Sequence, residues 1–509
     1  MSDNPNITVE ESGNGTSKAS SPNADLKPEF ASFGEYSEAP ESSDHVEIRD
    51  QYDLFIGGDF VPPVKKRYMK STNPATEETI FEFAEGTSED IDKAVKAARR
   101  AYNSEWGKLP GKERGKYIYR LARMLQERSR ELAICESIDG GKPIRESRDV
   151  DVPLAAAYFF YYAGWADKLE YAFPGRTPEP VGVCGQIIPW NFPLLMLSWK
   201  IAPALATGNT VVLKPAETTP LTALKFAEIC CDADLPEGVV NIVTGAGSTG
   251  AAVVDHSGVD KIAFTGSTEV GKHIQNSLAG TKKKFTLELG GKGANIVFED
   301  APLDQTVEGI VNAIFFNQGH VCCAGSRLLV QEGISDRLIS KLKRRIETLR
   351  VGNPLDKNTD IGAINSRMQF KKIQEYLEIG KKEGAEFHQS SCSIPEKGYF
   401  CRPTIFTGVA QSNRIVQEEI FGPVLTIQTF RTPDEAIEKA NNTSYGLAGG
   451  IWTDKGSKIF KTGQQVRSGV IWSNTYNKFD PTSPFGGYKE SGMGREGGLH
   501  GLYNYVHLH

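Results

Sequence analysis

The segment Asn317-Gln318-Gly319-His320-Val321-Cys322-Cys323-Ala324-Gly325 sets a thiol among small residues and glycines. Such a thiol is accessible, and its thiolate is the best nucleophile among side chains. A helix N-terminus or a cationic ring nearby would lower its pKa, whereas a Cys-Cys pair by itself reads more readily as two packed small hydrophobes. Phe285-Thr286-Leu287-Glu288-Leu289-Gly290-Gly291 ends an apolar run in a carboxylate. Burial there raises the pKa towards neutrality, which suits a general base acting on water. Pro189-Trp190-Asn191-Phe192-Pro193 holds an amide between two prolines, a donor for a developing oxyanion. Together these types describe attack on a carbonyl followed by hydrolysis. His320 invites a Cys–His dyad with Cys322, but adjacency in sequence gives no hydrogen-bond geometry.

Two glycine-rich turns compete to cradle a nucleotide. Gly245-Ala246-Gly247-Ser248-Thr249-Gly250 follows the apolar run Val239–Val243 and has the dinucleotide spacing. Phe264-Thr265-Gly266-Ser267-Thr268-Glu269-Val270-Gly271 also follows a strand-like run, offering backbone N–H groups and hydroxyls. Spacing does not decide between them. Lys214-Pro215-Ala216-Glu217 closes the run Thr210–Leu213, at the end where open sheets bind ligands. Its Glu would accept from ribose hydroxyls and repel a 2′-phosphate, which favours NAD over NADP; the plainer reading is a surface ion pair.

The elements that must position these groups are short apolar runs alternating with helical segments: Thr210–Leu213, Val239–Val243, Lys261–Phe264 and Asn295–Phe298. Such runs suit strands covered on both faces, and the alternation predicts an α/β fold with open, mostly parallel sheets. Upstream, Ser88 is the expected N-cap of a helix carrying Ile91, Ala94, Val95, Ala98 and Tyr102 on one face. A second helix is expected from Gly111 to Ile138, ended by Gly140-Gly141. Residues 1–48 are rich in Ser, Asn, Glu, Pro and Gly and read as a disordered tail, with ordered structure starting near Tyr52.

At 509 residues, two or three domains are expected. A net charge of -6 and a pI near 5.9 argue against a nucleic-acid partner. Eight cysteines without framework spacing read as reduced thiols, and with no secretory signal visible the expected location is cytoplasmic. The most apolar stretch, Ile187 to Ala206, contains Asn191, Lys200 and three prolines, so it reads as buried protein and not as a membrane span. His507 and His509 supply at most two ligands, and no metal site is expected.

From about Tyr52 onward the sequence resembles the aldehyde dehydrogenase superfamily. The resemblance rests on PWNFP (189–193), KPAE (214–217), FTGSTEVG (264–271), LELGG (287–291), FFNQGHVCCAGSR (315–327), EEIFGPV (418–424) and SPFGGYKESGMGRE (483–496), in that order. It implies a Rossmann-like NAD-binding domain over 49–165 and 181–289, a catalytic domain over 290–480, and an oligomerisation arm over 166–180 and 497–509. It implies Cys322 as nucleophile, Glu288 as the base that hydrolyses the thioester, and Asn191 with the Cys322 N–H as oxyanion donors. Lys214, Ala216 and Glu217 would hold the adenosine ribose, Ser267 would lie near the pyrophosphate and Gly247 near the adenine. Ile187, Pro189, Trp190, Phe264, Gly266, Val270, Leu289, Glu419 and Phe421 complete the implied cofactor set. Phe192, Met196, Trp199, Val321, Phe479 and Phe485 would line the substrate channel, apolar enough for a medium aliphatic or aromatic aldehyde, with Lys478 the nearest cation.

The arm departs from the pattern. Its hairpin region is short and interrupted by prolines, and the sequence stops at Tyr505-Val-His-Leu-His509. The expected assembly is therefore a homodimer, or pairing with a second dehydrogenase-like subunit, as for the first module of two-module relatives. The rival readings are a CoA-acylating enzyme, against which Glu288 argues, and a catalytically silent scaffold, against which Cys322, Glu288 and Asn191 argue.

Overall fold

The computed structural model describes residues 37–509. Of the expected disordered tail, residues 1–36 lie outside the described residues. Residues 39–48 correct the expectation, because they are docked. The Ala39 N–H donates to Asp356 at 3.1 Å, and the buried Glu41 carboxylate binds both Arg130 and Lys357. Composition misses this ordering because the partners are distant in sequence.

The first helix, Ser88–Ser104, is capped by Thr87, not Ser88. The Asp90 carboxylate accepts from the Thr87 N–H and hydroxyl, each at 2.9 Å, closing a capping box one residue earlier than expected. The expected helix 111–138 is two helices, Gly111–Glu127 and Ser129–Gly140, broken at Arg128 (φ -93, ψ 16). No Pro or Gly marks the break. The Arg128 guanidinium is instead tied to Glu131 and Glu228 at 2.8–2.9 Å. The second of these helices ends at left-handed Gly141 (φ 80).

An eight-stranded sheet carries the middle of the chain. Its five central strands are parallel, in spatial order Lys284–Glu288, Lys261–Thr265, Val183–Ile187, Thr210–Lys214 and Val240–Ile242. The chain runs outward from Val183–Ile187 in one direction, then crosses back to add Lys261–Thr265 on its other side. That reversal is a topological switch point. One edge is closed antiparallel by Gly492–Met493, the other by Leu54–Ile56 and Asp59–Val61. Every residue of Val183–Ile187, Thr210–Lys214 and Lys261–Thr265 is buried, as the apolar runs predict for strands covered on both faces.

A seven-stranded sheet holds Ala294–Val297 between its central strand Arg327–Gln331 and Ala448–Trp452, all parallel; only the edge strand Glu386–Gln389 is antiparallel. Pro178–Pro180 pairs antiparallel with Val506–Leu508 in a separate two-stranded sheet. The apolar stretch 187–206 becomes a strand end and the buried helix Pro193–Ala206. Among the described residues no helix is long and apolar enough to cross a membrane.

Candidate active site

Four parallel strands of the larger sheet end in Ile187, Lys214, Thr265 and Glu288. These carboxyl ends flank the switch point, where an open α/β sheet leaves a crevice. A cavity of about 620 Å³ opens there. Every residue singled out above as catalytic, cofactor-binding or channel-lining borders it, including Ile187, Pro189, Ala216, Gly247, Phe264, Gly266 and Leu289. Both competing glycine turns contribute, through Gly247 and Gly250 of one and Phe264–Ser267 of the other.

The residues expected to face a nucleotide make definite contacts of their own. Lys214 Nζ lies 3.1 Å from Glu217 Oε2. Burial lowers the Lys214 pKa; it would raise that of Glu217, but the ammonium outweighs it and holds the carboxyl below its usual value. Ser267 caps the helix Thr268–Leu278, its Oγ accepting from the Val270 N–H at 3.3 Å. Glu419 Oε1 accepts from the Gly291 N–H at 2.8 Å, and burial raises its pKa. A side chain at Gly290 would collide with the Glu419 carboxylate. Phe421, itself left-handed (φ 59), packs edge-on to Trp190 at 5.3 Å.

The thiol loop is built on an unusual turn in which Asn317, Gln318 and Gly319 are all left-handed. Asn191 Nδ2 donates to the His320 carbonyl at 2.8 Å, and Asn317 Nδ2 donates to the Asn191 carbonyl at 2.8 Å. These reciprocal bonds tie the amide loop to the thiol loop. Cys322 is half-buried, and the adjacent Cys323 thiol together with burial pushes its pKa well up. His320 forms no dyad. Its ring lies between Trp190 (4.8 Å) and stacked Phe421 (5.8 Å), Nε2 has no hydrogen-bond partner, and burial lowers its pKa to about 3.

Glu288 is 4% exposed, and neither carboxylate oxygen has a hydrogen-bond partner. Burial, reinforced by the Glu496 carboxylate, raises its pKa well above 4.5. Glu496 itself is paired with the fully buried Lys200. At Gly486 a Cβ would come within 2.8 Å of Glu288 Oε1, so the missing side chain leaves that carboxyl its space. The aromatic wall is continuous: Trp199 lies 5.2 Å from Phe485 and 6.3 Å from Phe479, with Phe192, Met196 and Val321 alongside on the cavity surface.

Several lining residues escaped the sequence reading: Asp151, His273, Met368, Gln369 and Lys372. Gln369 and Lys372 sit on the amphipathic helix Arg367–Lys382, whose pattern alone reads as an ordinary surface helix. Lys478, expected nearby, does not line the cavity; its carbonyl accepts from Trp472 Nε1 at 2.9 Å. Among the described residues no group of three His, Cys, Asp or Glu is placed to hold a metal ion, and His509 is 3.2 Å from Glu179.

Comparison with known proteins agrees with this geometry. Residues 60–509 match the model of the family described as "Aldehyde dehydrogenase family". The chain is 47% identical over 463 residues to an aldehyde dehydrogenase of Alternaria alternata, covering 89% of this chain and 93% of that protein. It is 46% identical over 467 residues to the mitochondrial aldehyde dehydrogenase of Homo sapiens, covering 89% and 90%. Among solved structures, an NAD+ complex of the aldehyde dehydrogenase from Bacillus cereus superposes with a TM-score of 0.88 at 42% identity, covering 91% of this chain and 98% of that one. With the family model spanning nearly all the described residues and the cavity built as it is, the chain belongs to the aldehyde dehydrogenase family.

Proposed function

We propose that this chain oxidises an apolar aldehyde to its carboxylic acid with NAD, through a thioester on Cys322. The observation that carries the reading is the convergence of Cys322, Asn191 and Glu288 on one cavity from three separate elements. In the proposed reaction the Cys322 thiol passes its proton to solvent and its sulfur bonds the aldehyde carbon. The Asn191 amide and the Cys322 N–H stabilise the oxygen as it takes on charge. NAD, held by Lys214, Glu217, Ser267 and Glu419, would supply a hydride acceptor for the resulting thiohemiacetal. Glu288 then takes a proton from water, which adds to the thioester and releases the acid and the Cys322 thiol.

The residues present fit a dinucleotide. Glu217, half-exposed beside Lys214, would accept from ribose hydroxyls and repel a 2′-phosphate, which favours NAD over NADP. Ser267 at the start of a helix of 11 residues offers N–H groups to a pyrophosphate. The NAD+ captured in the Bacillus cereus relative supports the same choice. The rings of Phe192, Trp199, Phe479 and Phe485 favour a medium aliphatic or aromatic aldehyde. The eight cysteines are all free, which fits a reducing, cytoplasmic setting. For assembly we propose a homodimer, or pairing with a second dehydrogenase-like subunit, because the only strands of the arm region among its described residues are the three-residue Pro178–Pro180 and Val506–Leu508.

The test is absorbance at 340 nm across an aldehyde panel, with NAD or NADP, with and without CoA, and Cys322→Ala as control. Acid and NADH formed without CoA, and lost in the variant, are expected. A CoA requirement would replace hydrolysis by acyl transfer, and NAD binding without turnover would favour a scaffold.

A further inference from the structure

The thiol loop adopts a conformation that L-residues resist. Asn317 (φ 48) and Gln318 (φ 54) precede Gly319 (φ 76), three left-handed residues in succession. In that region Cβ crowds the following carbonyl oxygen, so only outside contacts sustain such a turn. Gly319 has no alternative, since a Cβ there would collide with the Gly422 carbonyl.

The outside contacts can be traced one by one. Gln318 Nε2 donates to the Ala363 carbonyl at 3.0 Å and the Gly141 carbonyl at 3.3 Å, and its Oε1 accepts from the Gly362 N–H. The Asn317 side chain reaches the Asn191 and His320 carbonyls. The Asn317 backbone N–H donates to Glu146 Oε2 at 2.9 Å. That last partner is the unexpected one. Glu146 is buried in the short helical turn Ile144–Glu146, where desolvation raises its pKa to about 8 despite the attraction of Lys142. Lys142 is bound to Asp151, lies 3.8 Å from Glu136, and sits 4.2 Å from the centre of the Phe192 ring. One buried ammonium therefore serves several carboxyls beneath both the Asn191 loop and the thiol loop. Glu146 does not line the cavity, so it takes no part in chemistry on the substrate. What it touches is the turn.

We infer that Glu146 is a positioning residue: by holding the Asn317 N–H it fixes the left-handed turn, and through it the placing of the Asn191 amide relative to the Cys322 N–H. The link is direct, because the Asn191 and Asn317 amides both donate to the His320 carbonyl, two residues before the thiol. This inference rests on the proposed aldehyde oxidation.

The test compares wild type, Glu146→Ala and Glu146→Gln by rapid-mixing measurement of the first NADH turnover, with thermal melting to confirm folding. A displacement of this kind slows chemistry about ten- to a hundredfold. Glu146→Ala should show that loss, while KM for NAD changes less than about twofold, as expected when ground-state binding is untouched. Glu146→Gln keeps a carbonyl to accept the same N–H and should stay within about threefold of wild type. If Glu146→Ala does not fold, Glu146→Met keeps the volume, removes the acceptor and takes its place. A second arm, alkylation of Cys322 by iodoacetamide followed by mass spectrometry, needs no turnover. Its rate should differ from wild type in Glu146→Ala and be restored in Glu146→Gln. Unchanged burst and alkylation in the acceptor-free variant, or a Gln variant as slow as Ala, would overturn the inference. A wild type that turns over no aldehyde would instead sink the functional reading, and the alkylation arm alone would then judge the turn.

Discussion

Glu288→Gln isolates the step assigned to the buried carboxyl while keeping its shape. The group is 4% exposed, has no hydrogen-bond partner at either oxygen, and faces Glu496. A positioned base of this kind contributes about 10²–10⁴-fold to rate. Steady-state kcat should therefore fall by about that factor. The first turnover of NADH should survive, because it precedes the water step. The pH profile follows from the direction of the shift. Since burial raises the carboxyl's pKa well above its ordinary value, hydrolysis in the wild type should climb as pH rises towards that raised value, and the Gln variant should lose that slope. The sign for stability is opposite. The folded carboxyl keeps a proton that the unfolded chain releases above its ordinary value of 4.5, so its contribution is full below that pH and is lost as pH rises through the folded value. Melting curves of the variant should decline less with pH than those of the wild type. Stopped-flow absorbance at 340 nm resolves burst from steady state. Turnover within tenfold of wild type with an unchanged pH profile, or a burst lost together with turnover, would refute the assignment.

Breaking the buried Lys200–Glu496 pair by Glu496→Leu should destabilise the protein by about 3–5 kcal/mol in urea unfolding. The double variant Lys200→Met/Glu496→Leu should recover most of that; equal losses in single and double variants would show that the pair is not coupled. Glu217→Gln should raise kcat/KM for NADP relative to NAD by about tenfold, or about 1.4 kcal/mol, and an unchanged ratio would remove Glu217 from cofactor choice. Gly319→Ala should cost at least about 1–3 kcal/mol from its positive φ, with the clash against Gly422 added, and should cut activity with it. A wild-type melting temperature and kcat in that variant would disprove the constraint. Light scattering should report a homodimer, and a clear tetramer would contradict the reading of the arm.

The strands and their ligand-facing ends were legible because each is a short apolar run closed by the residue that matters, as in Thr210–Lys214 and Lys284–Glu288. Local pattern and local chemistry coincide there. The break at Arg128 was not legible, since it depends on Glu228, a hundred residues away. The docking of Glu41 on Arg130 and Lys357 is hidden for the same reason. Lys142, Glu136, Glu146 and Asp151 look in sequence like any charged stretch beside Pro and Gly, yet all four are buried. The titration of Cys322 was not legible either: its flanking residues speak of access, which its half-buried place on the cavity fits, whereas its pKa depends on Cys323 and on the enclosing fold.

The strand Gly492–Met493 completes the edge of the larger sheet beside Leu287 and Glu288, and Gly486 and Glu496 complete the surroundings of that carboxyl. During synthesis, Cys322, Asn191 and Glu288 have all been translated by residue 322, but the last residues to close round the Glu288 carboxyl arrive more than a hundred and fifty residues later. A ribosome-bound chain that has not passed residue 496 therefore carries Cys322, Asn191 and Glu288 without the residues that enclose the carboxyl.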